Sequence, residues 1–190
     1  VIVIVVGTGM CRMRQVRDEI VKQLKLPFYD DEMKKLDTMY SAGNVGVWYN
    51  ELGKITKNKP KDWGWMSQIS AYTIGGYIDY FGNPLVVWCK QPLSECVECF
   101  QAIGWPYNYA KAEVERRWNS LNAQLRGYDN VVSIADDADI EEEIKKMVTT
   151  PFSDAVVKPS SGKPSKSKQV DGEPGLPKRT GGKVPEVTRD

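Results

Sequence analysis

Gly7-Thr8-Gly9, with Arg12 and Arg14 just beyond it, is the first place where residue types and spacing point to chemistry. Glycines at a strand-to-helix turn let backbone amides face an anion with no Cβ in the way. The helix that follows adds partial positive charge at its N-terminus, and the arginines add formal charge. The chemistry indicated is holding a phosphate. A plain turn, in which glycine only permits tight packing, is the other reading. Lys90-Gln91-Pro92 sets a further cation at the end of a second apolar run, Leu85 to Cys89.

Other groups point less far. Cys96-x-x-Cys99 is a lone pair with no second pair beside it. It reads as small buried hydrophobes on a helix rather than as a zinc site, with a redox pair as the alternative. Asp136, Asp137, Asp139 and Glu141 to Glu143 gather where a helix begins. Capping and the helix dipole explain such acids, with a divalent-cation site as the alternative. The chain has no histidine. This excludes Ser-His-Asp and Cys-His catalysis, His-ligated zinc and histidine pH switching.

The loop subtype narrows the chemistry. A Walker A loop reads G-x-x-x-x-G-K-[ST]. Counting from Gly7, its last position falls on Arg14, and no lysine occurs before Lys22. A Rossmann G-x-G-x-x-G would place glycine where Arg12 stands.

These residues need elements to position them. Val1 to Val6 is a continuous β-branched run, the pattern of a strand buried on both faces. Met13, Val16, Ile20 and Leu24 follow at helical spacing, with Pro27 as the expected stop. Short helices are predicted over 31–40 and around Val47 to Ile55. Trp63-Gly64-Trp65 reads as a loop, and a helix from Ser67, as N-cap, to Phe81. Leu85 to Cys89 and Val131 to Ile134 read as further strands. Helices between them are marked by Leu93, Cys96, Val97 and Phe100, and by Val114, Trp118, Leu121 and Leu125, with Glu113 and Arg117 spaced as an i,i+4 pair. Asp139-x-x-Glu142 is a capping box for a last helix ending near Val148. Strands alternating with helices mean an α/β domain with a largely parallel sheet. Ligands of such sheets bind at the carboxyl ends of the strands, where Gly7 to Arg12 and Lys90 to Ser94 lie.

Composition sets the frame. The chain has 190 residues, with 26 Lys and Arg against 25 Asp and Glu. That balance argues against a nucleic-acid-coating protein. No apolar run reaches the roughly 18 residues of a membrane helix. The start at Val1 inside an apolar run reads as a fragment or processed product. Residues 151–190 hold six of the 11 prolines, and 8 basic against 5 acidic side chains. This leaves 18 basic and 20 acidic groups in 1–150. The 151–190 segment is too poor in apolar surface to offset its ordering entropy and is expected to be a disordered Pro/Gly/Ser/Lys-rich tail. The folded domain is expected at 1–150. The cysteines show no secreted framework, so a cytoplasmic setting is expected.

The order of these features resembles the P-loop sulfotransferase family. Its loop commonly reads G-T-G-R-S-G-T, against Gly7-Thr8-Gly9-Met10-Cys11-Arg12-Met13 here. Trp63-Gly64-Trp65 is similar to the family's W-G-W-K segment, with Met66 in place of lysine. Lys90-Gln91-Pro92 is similar to its R-[DN]-P, with lysine replacing arginine. The family's serine eight residues beyond that arginine falls on Glu98, and its usual histidine base has no counterpart. Phe100 to Trp105 and Val131 to Asp137 lie where the family has an aromatic, glycine-containing stretch and its V-x-Y-E-D-L segment. The resemblance spans about residues 1–148. It implies a three-layer α/β fold, a parallel sheet flanked by helices, of the P-loop NTPase and sulfotransferase kind. It also implies 3′-phosphoadenosine 5′-phosphosulfate (PAPS) as donor, gripped by Gly7, Thr8, Gly9, Met10, Cys11, Arg12 and Lys90. A sulfuryl group would pass to a hydroxyl or amine of a small-molecule or glycan acceptor. The alternatives are a degenerate module of this fold, its tail docking a protein partner, and a P-loop nucleotide kinase. Trp63 and Trp65, flanking a glycine in an expected loop, are the aromatics placed to touch a ligand. The basic stretch Lys57 to Lys61 reads as a solvated loop, with contact to an anionic substrate as the alternative.

Overall fold

The computed structural model describes residues 1–149; the expected tail lies outside the described residues. In chain order the elements are β1 (Ile2–Gly7), α1 (Met10–Leu24), α2 (Asp30–Ser41), α3 (Val45–Thr56) and β2 (Trp63–Met66). A 3-10 turn (Ile69–Tyr72) leads to α4 (Ile74–Phe81), β3 (Leu85–Cys89), α5 (Leu93–Ala102), α6 (Tyr107–Leu125), β4 (Val131–Ile134) and α7 (Ile140–Thr149). The strands form one sheet in the order β2-β1-β3-β4, every pair parallel. β1 is buried between two partners: Val5 pairs with Met66 on one side and Val87 on the other. Its unbroken β-branched run is what such a position demands.

Successive strand residues point to opposite faces, and this builds the layers. Ile4, Val6, Trp63, Trp65, Val86 and Trp88 share a core with Met33 and Leu36 of α2, Trp48 and Leu52 of α3, Ile74 and Tyr77 of α4, and Leu121 and Leu125 of α6. Val3, Val5, Met66, Leu85, Val87 and Cys89 face the other way. There they meet Met13, Val16 and Ile20 of α1 and Ile144 and Met147 of α7. A smaller cluster joins Cys96, Val97 and Phe100 of α5 to Ala110 and Val114 of α6. The result is the expected parallel sheet flanked by helices on both faces.

The structure corrects the reading of Trp63-Gly64-Trp65. It is a strand, and both indoles are interior, Trp63 at 2% and Trp65 at 0% exposure. They stack on each other with centroids 5.3 Å apart, so neither is placed to touch a ligand. Glycine between them reflects close backbone approach. A Cβ on Gly64 would lie 2.7 Å from the Val3 carbonyl oxygen and 3.0 Å from the Phe28 ring. A helix from Ser67 to Phe81 is also not what forms. Ser67 Oγ accepts from the Ile69 amide at 3.2 Å, the chain makes a 3-10 turn, and α4 begins only at Ile74. Helix α1 ends at Leu24, before Pro27, with Lys25 left-handed at φ 53° and its amide donating to the Val21 carbonyl.

Candidate functional site

The carboxyl ends of β1 and β3 lie side by side, with Gly7 in register with Cys89. Only Thr8 and Gly9 separate β1 from α1. Both loop glycines are explained by their neighbours. A Cβ on Gly7 would come within 2.9 Å of the Cys89 carbonyl oxygen. One on Gly9 would fall 2.5 Å from Gln91 Oε1 and 3.0 Å from Cys96 Sγ. Thr8 is fully buried, and its hydroxyl meets the Cys96 thiol. The β3–α5 connection therefore packs directly against this loop.

Two cations near the loop, Arg12 and Lys90, are engaged. Arg12 sits in the first turns of α1, where Met10 and Cys11 also lie. Its Nη2 donates to the carbonyl oxygens of Ala135 at 2.8 Å and Ala138 at 2.6 Å. It thus straps α1 to the β4–α7 connection, while its Nε is buried without a partner. The Lys90 amide donates to Ile134, and its Nζ lies 4.5 Å over the Trp88 ring. Gln91 Oε1 is likewise buried and unpaired. Residues 7–12 and Lys90 are thus brought to one end of the sheet, around the same β4 terminus. The side chain of Thr8 faces inward, and Arg12 faces protein carbonyls.

Burial governs the thiols here. It pushes the Cys89 thiol up to about 12, and it raises Cys96 against the Thr8 hydrogen bond. Cys96 is wholly buried on α5, as its helical spacing predicts. Among the described residues no cluster of His, Cys, Asp and Glu is arranged to hold a metal ion. Asp139 Oδ1 instead accepts from the Glu142 amide at 3.1 Å, as an N-cap does. Lys59, in the basic stretch, lies over the Tyr29 ring and pairs with Glu32.

A second site lies farther along α1. Arg14, Arg17, Lys34, Gln68 and Arg117 line a cleft of about 400 Å³ together with Asp30 and Asp31. Arg17 donates to Asp30 at 2.9 Å, and the other oxygen of Asp30 accepts from the Met66 amide. The end of β2 and the start of α2 are thereby tied to α1. Arg117 comes from the middle of α6, where it pairs with Glu113 at 2.8 Å as its spacing predicts. Burial opposes ionisation of Glu113, but hydrogen bonds and charge from Arg117, with help from Tyr72 and Arg116, hold its carboxyl below the ordinary range. The reading of motifs did not find this cleft. The available signal was Glu113 and Arg117 standing on the face that carries Ala110, Val114 and Leu121, a charged pair on an apolar stripe.

Asp37 is fully buried. It accepts from Thr73 at 2.7 Å, Ser70 at 2.8 Å and Tyr77 at 2.9 Å. Burial raises its carboxyl above the usual range despite these bonds. Its surroundings mark it as the polar centre of the α2–α4 packing.

No family model matches the chain, and no curated protein matches it. Solved structures do resemble it. A shikimate kinase from Bacteroides thetaiotaomicron superposes with a TM-score of 0.53 at 11% identity, over 77% of this chain and 95% of that one. A shikimate kinase from Aquifex aeolicus does so at 0.52 and 13%, over 78% and 94%. At such identities the likeness is one of fold. The shared architecture is the parallel four-stranded sheet flanked by helices, the fold of these P-loop kinases. Among the described residues no helix is long and apolar enough to cross a membrane.

Proposed function

We propose that this chain is a two-substrate group transferase of the P-loop kinase kind. A nucleotide donor is held by its phosphates at residues 7–12 and Lys90, and a small acceptor binds in the adjoining cleft. The observation that carries this reading is the double use of α1. Its N-terminus closes the Gly7-Thr8-Gly9 turn, and Arg14 and Arg17 on its next turns line the cation-rich cleft. With about 1.5 Å of rise per residue, these arginines lie roughly 6 and 10 Å along the axis from its start. A small acceptor seated there can reach the terminal phosphate of a donor on the helix N-terminus. Transfer would then rest on positioning, and on amides and cations that stabilise charge on the moving group.

Sulfuryl transfer from PAPS is the second reading. The order of Gly7-Thr8-Gly9, Trp63-Gly64-Trp65 and Lys90-Gln91-Pro92 favours it, and Lys90 stands at the end of β3, where the resemblance implies a 3′-phosphate contact. A non-catalytic module of this fold draws support from the strapped Arg12. Isothermal titration with ATP and, separately, adenosine 3′,5′-bisphosphate tests all three. Heat with ATP that is lost in Lys90→Ala supports the kinase reading. Heat with the bisphosphate alone supports sulfuryl transfer. Silence with both at millimolar ligand, from a folded sample, overturns both transferase readings and leaves the module.

A further inference from the structure

We infer that two cavities sharing Arg117 form one binding site for a small aromatic molecule that carries a carboxylate or phosphate. The inference deepens the acceptor half of the proposed function by naming a ligand class. The first cavity is the cation-lined cleft of about 400 Å³. The second, of about 550 Å³, is walled by Tyr40, Ile69, Tyr72, Glu113 and Arg117. Ile69 and Arg117 line both. Each lies in the size range of small-molecule pockets.

Arg117 is the reason to read them together. It is 7% exposed. Its Nε donates to Glu113 Oε1, its Nη1 donates to Gln68 Oε1 at 2.9 Å, and its carbon lies 5.0 Å over the Phe100 ring. The guanidinium is thus held rigidly. A nearly buried guanidinium lining two cavities is suited to a carboxylate or phosphate oxygen. Glu113 does not compete for the ligand as an open acceptor. It already takes bonds from Tyr72 at 2.9 Å and Arg116 at 2.7 Å as well as from Arg117. In the cleft, four basic side chains face two carboxylates, and Asp30 is tied to Arg17 and the Met66 amide. The net charge there favours an anion. The second cavity offers the faces and edges of Tyr40 and Tyr72, with Tyr40 braced edge-on against Trp48 at 5.2 Å. An aromatic ring fits that wall, and its anionic group then falls at Arg117 with Arg14 and Lys34 around it.

The test uses phenyl phosphate and phenylacetate as probes, with phenol and inorganic phosphate as controls, read by ligand-observed NMR on the full chain. At least one aromatic anion is expected to bind about tenfold more tightly than either control, since both halves of the site contribute. The phosphate and carboxylate arms identify which anion the site takes. Lys34→Gln and Tyr40→Ala, neither in the Arg117 network, are each expected to weaken that binding about fivefold. Absence of binding by both aromatic anions overturns the inference, as does binding unchanged in both variants. Displacement by ATP, with probe binding that Lys90→Ala weakens and Lys34→Gln does not, would locate the probe at the loop and also overturn it. Nucleotide binding without aromatic-anion binding defeats this inference and leaves the donor site standing; the converse defeats the donor site and leaves the cleft.

Discussion

Thr8 Oγ1 and Cys96 Sγ lie 3.2 Å apart in the interior, joining the loop after β1 to α5 across 88 residues of chain. The hydroxyl that the sequence offers to a ligand is therefore turned toward a thiol. Replacing it tests the contact. Thr8→Val keeps the shape, loses the bond and is expected to cost about 1 kcal/mol, read as a lower urea midpoint with unchanged slope. An unaltered midpoint would show the contact to be energetically empty.

Gly9 and Gln91 are coupled sterically. Gly9→Ala puts a methyl 2.5 Å from Gln91 Oε1 and 3.0 Å from Cys96 Sγ, so overpacking of about 1–3 kcal/mol is expected. Gln91→Ala removes the nearer obstacle. The double variant should lose less stability than the sum of the single variants, by at least about 0.5 kcal/mol. Strict additivity in a thermal-unfolding cycle would contradict the packing described.

Arg12 acts as a strap from α1 to the β4–α7 connection, on the carbonyls of Ala135 and Ala138. Arg12→Ala leaves both without that donor and is expected to destabilise the fold by about 1–3 kcal/mol. Hydrogen exchange of the first turn of α7 should quicken at the same time. If exchange there is untouched, Arg12 does not brace that segment.

Asp37 makes stability depend on pH in an unusual direction. Its folded carboxyl titrates above the unfolded value of 3.8 because burial penalises the charge. Between those two points the native state binds more protons than the unfolded chain, so stability falls as pH rises through that window. Asp37→Asn removes the titration. Its stability profile from about pH 4 to pH 7 should be flatter than that of the parent chain. Parallel profiles would falsify this origin.

Much of the scaffold was legible from local pattern. β1, β3 and β4 follow from short apolar runs, and most of the helices between them, the capping Asp139 and the Glu113–Arg117 pair follow from spacing of three or four residues. β2 was not legible. It has only four residues with glycine inside, too short for alternation to show, and it exists because β1 supplies its pairing.

The candidate site divides in the same way. Gly7-Thr8-Gly9, Arg12 and Lys90 could be seen at strand ends, because the order of strand, turn and helix is written in the chain. Where Arg12 points could not, since its partners stand 123 and 126 residues away. Nor could the union of Arg14, Lys34, Gln68 and Arg117 in one cleft. Sequence by itself determined most segments as strand or helix, β2 and the turn before α4 excepted, because helical turns and apolar periodicity act between near neighbours. Only the tertiary structure decided which charges are engaged and which face open space. Those outcomes depend on contacts between α1, α2, α6 and the β4–α7 connection, segments that chain order sets far apart.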